Sequence, residues 1–366
     1  MKVLLVSNAT KEQVNTAVEI AQDWLTEQAI EHRQIYSEHL LINNPFLAEL
    51  AAQVDQYDLV VSFGGDGTIL RVSRMIGDSG VPLLAFNFGG MGFLASAQAD
   101  AVLSALQQTI NNKARIEERV FAEIAVTYDD GVSEQYLALN EVVISRGNFG
   151  RIVSLDLFIN NTFMEKARGD GVLVATATGS TAYALSAGGP LLNPLYDGLV
   201  VVPISPHSLK AWSIVTGPED TVVLKPSLDN AQRIVLFLDG EVLWSNEQAK
   251  QAIEAAALYG APAAFAAEAE VLHDGEAVAS AGGAGVTTGG AGATTGDNTP
   301  FSDNPGSLTR ENTFLSDGLS GIESNSPEVI SVAVRPSKAR VRLVRLGQHD
   351  FYDQIASTFF GSSYDR

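Results

Sequence analysis

A chain of 366 residues that is 46% hydrophobic can bury more than one core, so length and composition favour two globular domains over one and argue against a disordered polymer. With no cysteine it has no disulfides, thiolate nucleophiles or cysteine-ligated metals, and His32, His39, His207, His273 and His349 are too scattered for an HExxH-type zinc pair. A formal net charge of −20 argues against non-specific binding to nucleic acid or an anionic membrane, both of which need a basic surface.

The apolar start Val3–Val6 is too short for a secretory signal, and no later segment offers the roughly 18 uncharged apolar residues of a membrane helix. The expectation is a cytoplasmic protein with no membrane partner. Residues 3–7 predict a first strand, and Thr10 and Gln13 form a capping box before a helix with Val14, Val18, Ala21 and Leu25 on one face. A second strand over 58–63 runs into Gly64-Gly65-Asp66-Gly67-Thr68, from which a helix opens. A third, over 82–86, ends at Asn87-Phe88-Gly89-Gly90-Met91-Gly92-Phe93-Leu94. Alternation of this kind implies a doubly wound parallel sheet, and both glycine-rich turns fall at carboxyl ends of strands, where such sheets bind ligands.

From about residue 115 the texture turns β-rich. Runs at 121–128, 134–145 and 153–159 are separated by Asp129-Asp130-Gly131 and Asn160-Asn161 at hairpin spacing. After Asp239-Gly240-Glu241 the sequence becomes alanine-rich and then rich in Gly, Ala, Ser and Thr, a composition that predicts a flexible, low-complexity insertion over 250–328. Half of the negative excess lies in residues 251–330, where Arg310 is the sole base. Alternation resumes at 330–334 and 339–343, placing Arg340 and Arg342 on one strand face. The expected fold class is an N-terminal doubly wound α/β domain plus a β-rich C-terminal domain, with the active site in the cleft between them. The boundaries are 1–98, to which the tail 347–366 returns, and 99–346, interrupted by the insertion.

Two constellations carry chemistry. A buried strand ending in three glycines around Asp66 leaves backbone N–H groups uncovered beside a carboxylate, and a helix beginning at Thr68 would aim its positive end at the same turn; together they suggest phosphoryl chemistry. A plainer reading makes Asp66 the cap of that helix. Further on, a hydrophobic strand after Arg168-Gly169-Asp170 runs into Thr178-Gly179-Ser180-Thr181 and a helix of small residues through Pro190, leaving room for a flat ligand to approach the backbone. A capped, tightly packed helix explains the small residues but not Arg168, Asp170 and Tyr183.

Taken in order, Gly64–Gly67, the Asn-x-Gly-x-x-Gly-Phe-Leu pattern at 87–94, Asn140-Glu141, Gly169–Pro190, Pro206-His207-Ser208-Leu209 and Asp239-Gly240 resemble the blocks of NAD kinase, which phosphorylates NAD at the 2′-hydroxyl of its adenosine ribose. The resemblance runs to about residue 245 and resumes over 328–353. It implies that Asp66 is the general base, that amides of Gly64, Gly65, Gly67 and Thr68 stabilise the donor phosphate, and that Mg²⁺ or another divalent metal accompanies ATP. It places Asn140 and Glu141 at the NAD adenosine, Thr178, Thr181, Ala182, Tyr183 and Ser186 around the dinucleotide, and Asp170 at its other half. Arg71, Arg151 and Arg168 stand where the family has basic residues near the ligand, although each read singly is a solvated surface arginine. A homo-oligomer, dimer or tetramer, follows from the same resemblance, with NAD and either ATP or polyphosphate as small-molecule partners. The chain departs from the family pattern at Ala177, at Lys210-Ala211-Trp212-Ser213, at Glu241 where glutamine is common, and at Phe359-Phe360-Gly361. Two other classes stay open on the residues alone: a lipid or sphingoid kinase sharing the turn, and a non-catalytic dinucleotide sensor.

Overall fold

The computed structural model describes residues 1–8, 12–89, 92–98, 101–147, 152–208, 211–227, 234–245, 327–347 and 351–359. Thr10, Arg151 and residues 250–326 of the expected insertion over 250–328 lie outside the described residues.

The chain begins with strand β1 (Lys2–Ser7), helix α1 (Glu12–Glu27), β2 (Glu31–Tyr36), α2 (Phe46–Ala51), β3 (Leu59–Gly64), α3 (Asp66–Ile76) and β4 (Pro82–Asn87). The four strands lie in the order β4-β3-β1-β2, all parallel. Val14, Val18, Ala21 and Leu25 of α1 are buried as their spacing requires, and they pack with Phe63 and Phe86 on one face of the sheet. Ile69, Val72 and Met75 of α3 pack on the opposite face, so the sheet is wound on both sides.

The chain continues through β5 (Ala97–Gln98), α4 (Val102–Ile110), β6 (Arg115–Tyr128), β7 (Ser133–Ala138), β8 (Glu141–Ser145), β9 (Val153–Ile159), β10 (Thr162–Gly169) and β11 (Gly171–Thr176). After the short helix α5 (Tyr183–Ser186) come β12 (Leu199–Ile204), β13 (Ile214–Val215), β14 (Val222–Pro226), β15 (Val235–Leu238), β16 (Glu241–Ser245), β17 (Val329–Arg345) and helix α6 (Phe351–Phe359). Asn160 and Asn161 both take positive φ in the β9–β10 turn, a conformation asparagine tolerates.

Among the described residues these strands make two sheets. A six-stranded sheet runs β13-β12-β11-β8-β15-β16. An 11-stranded sheet runs β10-β9-β14-β17-β4-β3-β1-β2, with β5, β6 and β7 attached at its side. A shared core of Val142, Ile144, Val174 and Leu236 from the first and Ile124, Leu155, Leu224 and Val332 from the second fills the space between them.

The runs at 330–334 and 339–343 are one strand. β17 pairs antiparallel with β6 along nearly its whole length, and its register slips between Pro336 and Arg340. Proline cannot donate to the ladder, and a bulge is where a sheet accommodates it. Through Val332–Val334 β17 pairs with β14, and through Arg342 and Leu343 it runs parallel to β4. Conversely, the run at 134–145 is two strands, broken at Leu139-Asn140.

Candidate active site

β3 is buried throughout and delivers Gly64 to the turn. Gly65, with extended backbone, is the N-cap of α3, which makes Asp66 its first helical residue and not its cap. The amides of Thr68 and Ile69 both donate to the Gly65 carbonyl, Thr68 is buried, and Gly67 is exposed. A side chain at Gly65 or Gly67 would meet nothing in the chain itself, so the space over the turn is clear for a ligand. Asp66 is exposed on one side while its carboxylate lies against Gly92, where any Cβ would collide with Asp66 Oδ1. This partial burial pushes the Asp66 carboxyl above its ordinary pKa.

The segment after Gly92 is held from the far end of the chain. Gln354 Nε2 of α6 donates to the Gly92 carbonyl at 3.0 Å. Arg345, the last residue of β17, donates to the carbonyls of Phe93 (3.3 Å), Leu94 (2.9 Å) and Ala95 (2.9 Å). Arg345 Nε also donates to Glu117 Oε1 at 3.0 Å, which accepts from Arg119 Nε at 2.8 Å, and Arg119 Nη1 reaches Thr178 Oγ1 at 3.3 Å. Burial alone would raise the Glu117 pKa, but Arg345 and Arg119 together outweigh it and hold the carboxyl below the usual range. Burial, and then the Arg345 charge, pull Arg119 down to about 10.

The second group of residues gathers where β8 meets β11, with Glu141 opposite Ala175. Asp239, at positive φ in the β15–β16 turn, is fully buried and accepts backbone N–H bonds from Leu139 (3.1 Å), Asn140 (2.7 Å) and Glu141 (3.2 Å). Burial pushes the Asp239 carboxyl up, opposed by Arg74 and by those three amides. On the other side of the Asn140 turn, the Thr176 amide donates to the Asn140 carbonyl at 2.8 Å, and Gly179 sits so close to that carbonyl that a Cβ would not fit. Glu141 is buried, its Oε2 has no hydrogen-bond partner among the described residues, and burial, then the charge of Asp239, push its carboxyl up to about 8.

A 3₁₀ turn at Gly179–Thr181 and α5 carry the remaining residues. Thr178 is buried, Thr181 and Ala182 are half-buried, and Tyr183 and Ser186 are exposed. Thr181 Oγ1 donates to the Thr178 carbonyl at 3.1 Å, which holds the turn closed. Partial burial, then the charges of Asp170 and Glu141, raise the Tyr183 hydroxyl pKa. Asp170 accepts from Arg146 Nε at 2.7 Å. Arg168 is exposed at the end of β10 and lines a shallow recess with Lys166, Pro203, Pro206 and Ser208. Arg71 does not stand free: its Nε is bonded to Glu241 Oε1 at 2.5 Å, and Arg74 Nη1 holds Glu241 Oε2 at 3.1 Å.

The structure therefore gathers Asn140, Glu141, Asp170, Thr178, Thr181, Ala182 and Tyr183, and sets the Gly64–Thr68 turn at the start of α3, whose Arg74 approaches Asp239. Sequence reasoning passed over Glu117, Arg119, Arg345, Arg146 and Gln354. Only Glu117-x-Arg119 carried a signal, an acid and a base two apart on a strand and so on one face. No cluster of three or more His, Asp or Glu side chains arranged to hold a metal occurs among the described residues. The carboxylate carried by the Gly64–Thr68 turn is that of Asp66.

Comparison with known proteins adds independent findings. Residues 2–114 match the family model described as the ATP-NAD kinase N-terminal domain, and residues 139–256 match the ATP-NAD kinase C-terminal domain. A Thermoanaerobacter sp. (strain X514) NAD kinase is 33% identical over 254 residues, covering 66% of this chain and 85% of that relative. The NAD kinase of Desulforamulus reducens is 37% identical over 243 residues, 65% of this chain and 82% of its own length. Among solved structures, yeast NADH kinase complexed with NADH superposes with a TM-score of 0.67 at 20% identity, covering 100% of this chain and 89% of the other. An Archaeoglobus fulgidus NAD kinase in complex with ATP gives 0.52 at 24% identity over 67% of this chain and 87% of the other. At these identities the superpositions speak for the fold.

Proposed function

The chain belongs to the NAD kinase family, and from that premise we propose that it moves the terminal phosphoryl group of ATP to the 2′-hydroxyl of the adenosine ribose of NAD, with Asp66 as general base. The products are NADP and ADP. The observation that carries the assignment of the base is the position of Asp66. It is the first residue of α3, open to solvent on one side and pressed on Gly92 on the other, with a raised pKa that suits a proton acceptor.

In this reading Asp66 accepts the ribose proton as the 2′-oxygen attacks the terminal phosphorus, and the bond from that phosphorus to the bridging oxygen of ADP breaks. The positive end of α3 and the clear space over Gly65 and Gly67 receive the donor phosphates, whereas the Thr68 amide, expected among the donors, is already taken by the Gly65 carbonyl. A divalent metal such as Mg²⁺, bound with the nucleotide, supplies neutralisation of the developing phosphate charge. Asn140 and Glu141 hold the adenosine, and Glu141, largely protonated at neutral pH with its pKa of about 8, carries an O–H that can donate. Tyr183 offers an exposed ring face for stacking. Arg168 is open for a phosphate contact, whereas Arg71 is engaged by Glu241.

The division at 98/99 belongs to the same proposal. It is supported by the six-stranded sheet, which is built wholly from residues 141–245, although α4, just past the division, packs through Val102, Ala105 and Leu106 on β1, β3 and β4. A cytoplasmic location is also part of it; among the described residues no helix is long and apolar enough to cross a membrane. The test is a coupled assay for NADP formed from NAD and ATP. Wild-type protein is expected to turn over, and Asp66→Asn to lose at least about a hundredfold in kcat. Equal rates in the two proteins would remove Asp66 from the role of base.

A further inference from the structure

We propose that Arg345 and Gln354 are positioning residues that clamp the Gly92–Ala95 segment against Asp66 and so set where the proposed base stands. This deepens the reading above and rests on it. Four consecutive backbone carbonyls, Gly92 to Ala95, are each taken by a side chain from the last part of the chain: the first by Gln354 and the other three by Arg345. Nothing in a strand or helix ladder requires this, because the segment is a loop between β4 and β5. A carbonyl in an irregular segment can be met by water, a turn or a side chain; here one arginine, itself 9% exposed, meets three in a row.

The aromatic rings repeat the same contact. Phe93 stacks on Phe359 with centroids 5.8 Å apart and tilts against Phe351 at 6.5 Å, so the loop and α6 are joined through side chains as well. The position of Gly92 matters because its α-carbon stands against the Asp66 carboxylate with no room even for a methyl group. A loop free to recede would let the carboxylate swing toward it, away from the open side of the turn where the ribose arrives. Arg345 also grips Glu117, and through it Arg119 and Thr178. The clamp thereby ties the base to the dinucleotide-binding turn by a buried chain of charge-assisted hydrogen bonds, which are stronger and more directional than neutral ones.

Steady-state kinetics on the full-length chain test this. Gln354→Met keeps the volume of the side chain and removes only the donor. It is expected to lower kcat about fivefold, the equivalent of one ordinary hydrogen bond, while KM for NAD stays within about twofold and the melting temperature falls by no more than about 4 °C. Arg345→Lys keeps the charge but cannot span three carbonyls, and is expected to fall at least about tenfold in kcat, with Arg345→Gln lower still. Unchanged kcat in Gln354→Met overturns the clamp. So does a rise in KM with kcat intact, which would make these residues part of ligand binding. Should the Arg345 variants fail to fold, Gln354→Met, on a half-exposed face of α6, decides alone. Absence of NADP formation by the wild type is a different failure: it overturns the parent reading and takes the clamp with it.

Discussion

At Asp66 the chemistry depends on the absence of an atom at position 92. A Cβ there has no space beside the carboxylate, so Gly92→Ala is expected to displace Asp66 and cost at least about a hundredfold in kcat. The fold should change little, because the collision is with one side chain near solvent, and kinetics beside a thermal melt separate the two effects. Glu141 makes a prediction of another kind. Its pKa of about 8 in the folded protein exceeds the ordinary carboxylate value, so between those two values the native state holds a proton that the unfolded chain has released. Stability therefore falls as pH rises from about 5 to 8. Asp66 and Asp239, also raised, act in the same direction, whereas Glu117 and Glu241, held low, contribute stability that is lost as pH falls. Glu141→Gln is expected to flatten the fall in melting temperature over that range, and an unaltered slope would show that Glu141 is not the group responsible.

At the level of elements, Glu241 joins three pieces of structure. It accepts from the Ile42 amide at 3.0 Å, from Arg71 and from Arg74, whose guanidinium also approaches Asp239, so the β15–β16 hairpin is fastened to α3. The sequence presented this residue as a departure from a common glutamine; the structure shows it as the counter-charge of two arginines. Glu241→Gln leaves the nearly buried Arg74 with a weaker partner and is expected to destabilise the fold by about 3 kcal/mol in urea denaturation, where no change would mean the pairs are exposed in solution.

The same scale shows what was legible in advance. β1, β3, β4 and α1 were readable because each buries a full face or a 3.6-residue stripe. β2 was not: Glu31-His32-Arg33-Gln34 lies at the sheet edge, where polar residues are tolerated and alternation is lost. The break at Leu139-Asn140 was hidden because its cause, the Asp239 carboxylate, is 98 to 100 residues away. Asp66 and most of the residues proposed here to hold the dinucleotide were read from short motifs. Arg345 and Gln354 could not be, since their purpose is to reach carbonyls of another segment, and backbone acceptors leave no mark on the sequence.

As a whole molecule, the protein presents Trp212 at 72% exposure and Leu195 at 66%, large apolar side chains that a second copy could cover. We expect a homo-oligomer. Light scattering on the active enzyme should return a multiple of 38.8 kDa, and a monomer under assay conditions would end that expectation.

β17 has one more consequence, which concerns synthesis on the ribosome. The edge of β4 at Pro82 and Leu83 receives its neighbour from Arg342 and Leu343, so the first sheet to emerge must wait some 260 residues for its missing strand. During translation that edge stays open to mispairing with other nascent chains. A chain cut short before β17 therefore lacks both the neighbour of β4 at Pro82 and Leu83 and the side chain of Arg345.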